Sequence, residues 1–166
     1  SDSMDVRIGD FGLAAKLSHA DEKKKTICGT PNYIAPEILD NKAGGHSFEV
    51  DIWSLGVIMY TMLVGKPPFE TKDVKSTYKR IRANAYSFPS SATISEHAQS
   101  LIRWILHTRP DRRPTLQQMR AHPFFTRPGT RIPVTLPESA LRAAPAPEDL
   151  WRESDDDPTQ QTVGEQ

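Results

Sequence analysis

The sequence of 166 residues contains one cysteine, no net charge and no apolar run long enough to cross a membrane. A single cysteine excludes a disulfide framework and a zinc site built from several cysteines. The 21 basic and 21 acidic side chains balance, which excludes a strongly basic nucleic-acid-binding protein as the default interpretation. The first ten residues lack the apolar segment of a secretory signal. These absences predict an intracellular, soluble protein that binds neither nucleic acid nor membrane.

Proline and charge divide the sequence into two parts near residue 125. Residues 126–166 hold six of the 14 prolines, four of the 21 bases and eight of the 21 acids, so this part carries a charge of about −4. Such a segment buries too little apolar surface to offset the conformational entropy lost on ordering. We therefore predict a domain over residues 1–125, with a charge of about +4, and a largely disordered extension, rich in proline and acid, over residues 126–166.

Hydrophobic periodicity predicts a domain that is mostly helical. The strongest segment, Phe48–Val64, is apolar around almost its whole circumference, which indicates a helix buried on most sides. Ser47 is the predicted N-cap, and Gly65 is predicted to end the helix before two prolines. Three further helices are predicted over Asp73–Ala83, Ser95–Leu106 and Thr115–Ala121, and one short strand over Asp5–Ile8.

Short motifs follow one another in a fixed order along the domain. They are IGDFG at 8–12, CGTPNY at 28–33, APE at 35–37, DIWSLGVIMY at 51–60, GKPPF at 65–69, RPDRRPT at 109–115 and HPFF at 122–125. This ordered set resembles the C-terminal lobe of a eukaryotic protein kinase. The two segments KKKTICGTPNYIAPEIL and TYKRIRANAYSFP are similar in sequence to the corresponding segments of polo-like kinases. The resemblance covers residues 4–137 and implies a protein-kinase-like fold of which this chain holds a mostly helical part.

The resemblance implies a nucleotide and metal role for the tripeptide Asp10-Phe11-Gly12. In kinases the aspartate of this motif holds Mg²⁺ against the phosphates of ATP, as suits a cation that prefers oxygen ligands. Phe11 is expected to pack inward and to set the position of the loop. Taken without the other motifs, the same three residues are also typical of a β-turn.

The resemblance places an activation loop over residues 16–33. Thr26 follows three lysines and corresponds to the threonine whose phosphorylation activates the family, since phosphate can order a loop by pairing with arginines. An ordinary loop threonine is the alternative. Thr30 matches the position that lies near the catalytic aspartate and helps to select a serine or threonine hydroxyl. Residues 31–34 then form the shelf for the substrate residue after the phosphoacceptor.

Three charged residues are expected to hold the fold rather than to do chemistry. The resemblance pairs Glu37 of APE with Arg113, and a buried charge of this kind needs its partner. Asp51 matches the aspartate that holds the backbone amides of the catalytic loop. An acid in the first turn of a helix is also favourable by itself, so a simple helix-end acid is the alternative for Asp51.

The 166 residues contain no GxGxxG loop, no VAIK-like segment and no HRD motif, all of which phosphoryl transfer by this fold requires. We therefore expect a part of a polo-like serine/threonine kinase that uses ATP and Mg²⁺ in its full-length parent and is inactive by itself. The implied partners are protein substrates and an upstream activating kinase, with no metal other than Mg²⁺. Cytoplasm, nucleus, spindle or centrosome are implied by the resemblance alone. The alternatives are a non-catalytic interaction module and a helical scaffold.

Overall fold

A computed structural model describes residues 8–19, 21–26, 29–40, 44–90 and 94–128 of the chain. These residues all belong to one unit, Arg7–Ile132. Most of the predicted strand Asp5–Ile8 lies outside the described residues, and Ile8 itself is exposed and is not part of a strand. All but the first three residues of the predicted extension 126–166 also lie outside them.

The described residues form six α-helices and almost no β-structure. The helices are α1 (Pro36–Leu39), α2 (Glu49–Val64), α3 (Val74–Ala83), α4 (Glu96–Ile105), α5 (Leu116–Arg120) and α6 (Pro123–Thr126). Two 3-10 turns cover Pro31–Tyr33 and Pro110–Arg112. The one β-type pairing within these ranges is an isolated antiparallel bridge between Lys24 and His46. No helix of the described ranges combines the length and apolar character that a bilayer span needs.

The long helix α2 departs from the prediction at its start and on one face. Phe48, not Ser47, occupies the N-cap position, and no side chain caps the helix. The end is as predicted: Gly65 has a left-handed φ of 89°, and its N–H donates to the carbonyl of Thr61 at 2.8 Å. Most of the circumference of α2 is buried or half-buried, as predicted, but one face leaves the apolar side chains of Ile58, Met62 and Leu63 exposed.

Local capping fixes the starts of the next three helices. The carboxylate of Asp73 accepts from the N–H of Ser76 at 2.9 Å, and hydrogen bonding from Ser76 lowers the pKa of Asp73. The hydroxyl of Ser95 accepts from the N–H of Ala98 at 3.2 Å. Thr115 and Gln118 form a reciprocal capping box. The predicted helices therefore begin within one residue of their predicted positions.

Two apolar clusters form the core. The larger one gathers around Trp53 and Phe69, whose rings stack with centroids 5.4 Å apart, and includes Ile81 of α3 and Ile102 of α4. The smaller one joins α4 to α5 through Leu101, Ile105 and Met119. α2 and α4 approach closely at Gly56, which is buried beside the side chains of Ile105 in α4 and of Leu106, the next residue. The packed helices α2 to α5 support the segment that precedes α2, which contacts α2 through the bond between Ser54 and Tyr33.

Candidate functional site

The tripeptide Asp10-Phe11-Gly12 forms a tight, exposed turn. Asp10 has a left-handed φ of 57°, and its Oδ1 accepts a hydrogen bond from the N–H of Gly12 at 3.3 Å. The carbonyl of Phe11 accepts from the N–H of Ala14 at 3.0 Å. This local bonding leaves the carboxylate of Asp10 facing solvent, where it can bind a cation.

Phe11 does not pack inward, as the resemblance led us to expect. Its side chain is 69% exposed, and it belongs to neither apolar cluster. The reason is that no described apolar side chain covers it. The expectation that Phe11 is buried is therefore wrong for the chain in this structure.

The residues at this turn fit one ligand position of a magnesium ion, not a complete site. Among the residues that the structure describes, no group of three or more histidine, cysteine or acidic side chains could hold a metal. Mg²⁺ in phosphoryl-transfer sites is commonly bound by one or two carboxylates together with the phosphates of the substrate. Asp10 fits such a carboxylate, and the remaining ligands would come from the nucleotide and from other groups.

The segment around Thr26 is fastened to the loop before α2 by His46. Lys24 and His46 exchange two backbone hydrogen bonds of 2.9 Å, and the imidazole Nε2 of His46 lies 3.0 Å from the carbonyl oxygen of Thr26. The residue Thr26 itself is exposed. An ion pair between Glu22 and Lys24 lowers the pKa of Glu22. Thr26 is thus held by its backbone while its side chain is presented to solvent.

The 3-10 turn Pro31–Tyr33 lies against the start of α2. The N–H of Tyr33 donates to the carbonyl of Thr30 at 3.0 Å, and the hydroxyl of Ser54 donates to the carbonyl of Tyr33 at 3.0 Å. The amide of Asn32 donates to Glu70 at 3.3 Å. Thr30 is exposed beside this turn, and its side chain caps nothing. The helical body therefore fixes the turn from two sides.

Glu37 and Arg113 form a buried, two-pronged ion pair. The guanidinium Nη1 and Nη2 of Arg113 donate to Oε1 and Oε2 of Glu37 at 2.6 and 2.7 Å, and the two side chains are 1% and 6% exposed. Arg113 also donates to the carbonyls of His107 and Glu49 at 2.9 and 2.7 Å. Its guanidinium carbon lies 5.0 Å from the ring centroid of Trp53. The pair ties α1, directly after the shelf, to the segment before α5.

The structure brings some of the predicted residues together and leaves others apart. Glu37 meets Arg113, and the shelf packs on α2. Asp51 lies in the first turn of α2, exposed, and its carboxylate bonds to none of the described residues. His46 and Ser54 were missed by the sequence analysis, because His46 is separated from Thr26 by 20 positions and Ser54 from Tyr33 by 21, with no motif to link them.

Comparison with known proteins places this arrangement in a family. Residues 1–125 match the protein kinase domain. A probable serine/threonine-protein kinase PLK of Dictyostelium discoideum is 58% identical over 145 residues, which are 87% of this chain and 14% of that protein. Serine/threonine-protein kinase PLK1 of Xenopus tropicalis is 54% identical over 145 residues, 87% of this chain and 23% of that protein. The cell cycle serine/threonine-protein kinase CDC5/MSD2 of Saccharomyces cerevisiae is 50% identical over 151 residues, 91% of this chain and 21% of that protein.

The chain spans between about a seventh and a quarter of the length of these relatives. The match includes the turn at Asp10, the shelf after Thr30 and both partners of the buried ion pair. The chain therefore belongs to the protein kinase family, and within it to the polo-like serine/threonine kinases.

Proposed function

We propose that this chain supplies the activation segment and the helical support of a polo-like kinase that transfers the γ-phosphoryl group of ATP to serine or threonine of protein substrates. The observation that carries the proposal is the buried Glu37–Arg113 pair. It fixes α1 and the preceding shelf to the core, so that the segment that begins at Asp10 ends at Tyr33 on a fixed support. A binding module without chemistry would not require this arrangement together with the Asp10 turn.

Asp10 is the proposed ligand for Mg²⁺ in complex with ATP. Bound there, Mg²⁺ would neutralise charge on the phosphate oxygens during transfer. The exposed carboxylate, bonded through one oxygen to Gly12, keeps its second oxygen free for this purpose. Phe11 and Gly12 shape the turn that presents the carboxylate.

Thr26 is the proposed regulatory phosphorylation site. Its exposure gives an activating kinase access to the hydroxyl, while His46 holds the backbone at this position. A phosphate adds up to about two negative charges. Of the three preceding lysines, Lys24 is paired with Glu22, while the exposed Lys23 and Lys25 offer local positive charge for recognition of this segment by an upstream kinase.

Thr30 and the shelf, residues 31–34, are proposed to contact the protein substrate. Thr30 would lie beside the accepting hydroxyl, and the 3-10 turn would support the residue that follows it. The hydrogen bonds from Ser54 and to Glu70 keep this turn in place before a substrate arrives, which lowers the ordering cost of binding.

The test is phosphate transfer from labelled ATP to serine and threonine of a protein substrate, with the protein that contains this chain at its natural length. Asp10→Asn should lower kcat by more than about a hundredfold, because it removes a charged ligand from the metal. Asp21→Asn, a matched change at an exposed acid of the same segment, should leave kcat unchanged. Full activity in Asp10→Asn would refute the proposed role.

The 166 residues alone are proposed to transfer no phosphate, since they contain no general base motif and no nucleotide lysine motif. The alternative, a non-catalytic interaction module, is favoured by one observation, the exposed apolar face of α2. Phosphate transfer by the isolated chain with ATP and Mg²⁺ would contradict the proposal that the 166 residues alone are inactive. A cell-cycle role, which the name of the yeast relative includes, is part of the same proposal.

A further inference from the structure

A concave surface of about 770 Å³ lies between the segment that follows α3 and the exposed side of α4. We call it the Arg103 groove and define it by Asn84, Tyr86, Ser87, Phe88, Gln99 and Arg103. It shares no residue with the Asp10 turn, the shelf or the Glu37–Arg113 pair. None of the roles proposed above uses it.

The groove is held in shape by bonds to the core. Asn84 ends α3 with a left-handed φ of 47°, and its side-chain amide donates to the carbonyl of Leu106 at 2.8 Å. The hydroxyl of Tyr60, on α2, donates to the carbonyl of Ser87 at 2.7 Å. The rings of Tyr60, Tyr86 and Phe88 contact one another with centroids 5.4 to 5.8 Å apart. A wall that is already ordered loses little conformational entropy when a ligand binds.

Arg103 is positioned in this groove without an acidic partner. Its guanidinium carbon lies 5.0 Å from the ring centroid of Phe88, and its Nη2 donates to Oε1 of Gln99 at 2.9 Å. Gln99 in turn donates to the carbonyl of Ile94 at 3.1 Å. Among the described residues, no ion pair involves Arg103. The remaining N–H groups of its planar fork are available to a carboxylate.

The lining has one charged group and two aromatic rings, with no acidic side chain among the described lining residues. The exposed residues Ser87 and Ser90 add hydroxyl groups at the rim. A small inorganic anion would satisfy Arg103 but make no apolar contact with the half-buried rings of Tyr86 and Phe88. A peptide that carries a carboxylate next to an apolar side chain would meet both features.

We propose that the Arg103 groove binds an acidic peptide segment of a protein partner, with a glutamate or aspartate carboxylate on Arg103 and a neighbouring apolar side chain on Tyr86 and Phe88. This interaction is independent of the phosphate transfer proposed above. The complementary charge of the partner follows from Arg103, the one charged side chain among the lining residues that the structure describes.

The experiment measures fluorescence anisotropy of a dye-labelled peptide rich in glutamate and tyrosine, titrated with the full chain. A peptide of the same length with glutamine for glutamate should bind about tenfold more weakly, which corresponds to one lost charge-assisted hydrogen-bonding pair. Arg103→Gln should weaken binding of the glutamate peptide by a similar factor. Arg120→Gln, which removes the same charge from an exposed residue of α5, should leave binding unchanged.

Three results would overturn the proposal. Equal weakening by Arg103→Gln and Arg120→Gln would show general charge attraction, and displacement of the peptide by inorganic phosphate as effective as displacement by unlabelled peptide would show a simple anion site. Thermal melting checks that Arg103→Gln is folded. If it is not, Phe88→Leu, which keeps the charge but removes the ring below the guanidinium, should still weaken binding by about threefold. Equal binding of the two peptides to the unchanged chain would also overturn the proposal, because it would show that no carboxylate is needed.

Discussion

Arg113 uses four of the five N–H groups of its guanidinium to compensate its buried charge. Its guanidinium donates to both carboxylate oxygens of Glu37 and to two backbone carbonyls, and it also lies over the ring of Trp53. Charges taken out of water are expensive unless all their hydrogen-bonding capacity is used. The pair therefore matters most when one partner is removed and the other stays behind.

We expect Glu37→Gln to lower the free energy of unfolding by about 3 kcal/mol, because it leaves the Arg113 charge buried against a neutral amide. Urea unfolding followed by tryptophan fluorescence measures this change. The matched control is Asp111→Asn, which removes the acid of the exposed pair with Arg109 and should not shift the urea midpoint. If both variants unfolded at the same urea concentration, the buried pair would not stabilise the fold.

The buried phenol of Tyr86 makes the stability of the fold depend on pH. Burial raises the pKa of Tyr86 to about 12, above its ordinary value of 10.0, so the folded chain favours the neutral phenol. The contribution of the buried neutral phenol to the free energy of unfolding is fully present below pH 10 and is lost as the pH rises from 10 through 12. Thermal melts across this window should show a steep fall in Tm that Tyr86→Phe reduces. The control Tyr78→Phe should leave the fall unchanged, and an equal effect of both variants would contradict the assignment.

The starts of the longer helices can be predicted from the sequence, whereas the shortest helices and the long-range hydrogen bonds cannot. Starts at Asp73, Ser95 and Thr115 could be predicted to within one residue because an N-cap acts on backbone groups three positions away. α1 and α6 have four residues each, too few to show a period, and were not predicted. The bonds from His46 to Thr26 and from Ser54 to Tyr33 depend on folding of the whole unit, so no local pattern announces them.

The crossing of α2 and α4 depends on the absence of a side chain at Gly56. A Cβ at this position would lie 2.4 Å from Cγ2 of Ile105 and 2.9 Å from Cδ2 of Leu106. Gly56→Ala should therefore force the two helices apart and lower the free energy of unfolding by about 1–3 kcal/mol. Urea unfolding gives this value.

The control for this crossing is Gly9→Ala, where a Cβ would meet nothing within 4 Å. This substitution should change the free energy of unfolding little. A stable Gly56→Ala variant would mean that the crossing can open without cost, contrary to the packing described here.

The whole molecule has an apolar surface that its described residues do not cover. Met62 is 80% exposed on α2, and Ile58 and Leu63 lie on the same uncovered side of the helix. The circumference of α2 suggested burial from the sequence alone. The prediction of burial was wrong for this face, because hydrophobic periodicity shows which residues are apolar and does not show which elements are present to cover them.

We expect the isolated chain to associate with itself through this face, since contiguous apolar surface promotes association. Met62→Gln should lower the apparent mass measured by light scattering at high protein concentration, with no loss of Tm. Met62→Leu, which keeps the apolar character, should behave like the unchanged chain. Association that does not depend on residue 62 would place the contact elsewhere.

We expect the Glu37–Arg113 pair to form late when the chain folds. Its partners are 76 positions apart, so the contact closes a long loop, and the entropy of that closure must be lost before the pair gains anything. The helices between the partners, by contrast, form through local bonds, and the crossing of α2 and α4 at Gly56 and Ile105 closes a shorter loop than the ion pair does. We therefore expect α2 and α4 to associate first and the ion pair to form late. A contact that forms late slows unfolding much more than it speeds folding.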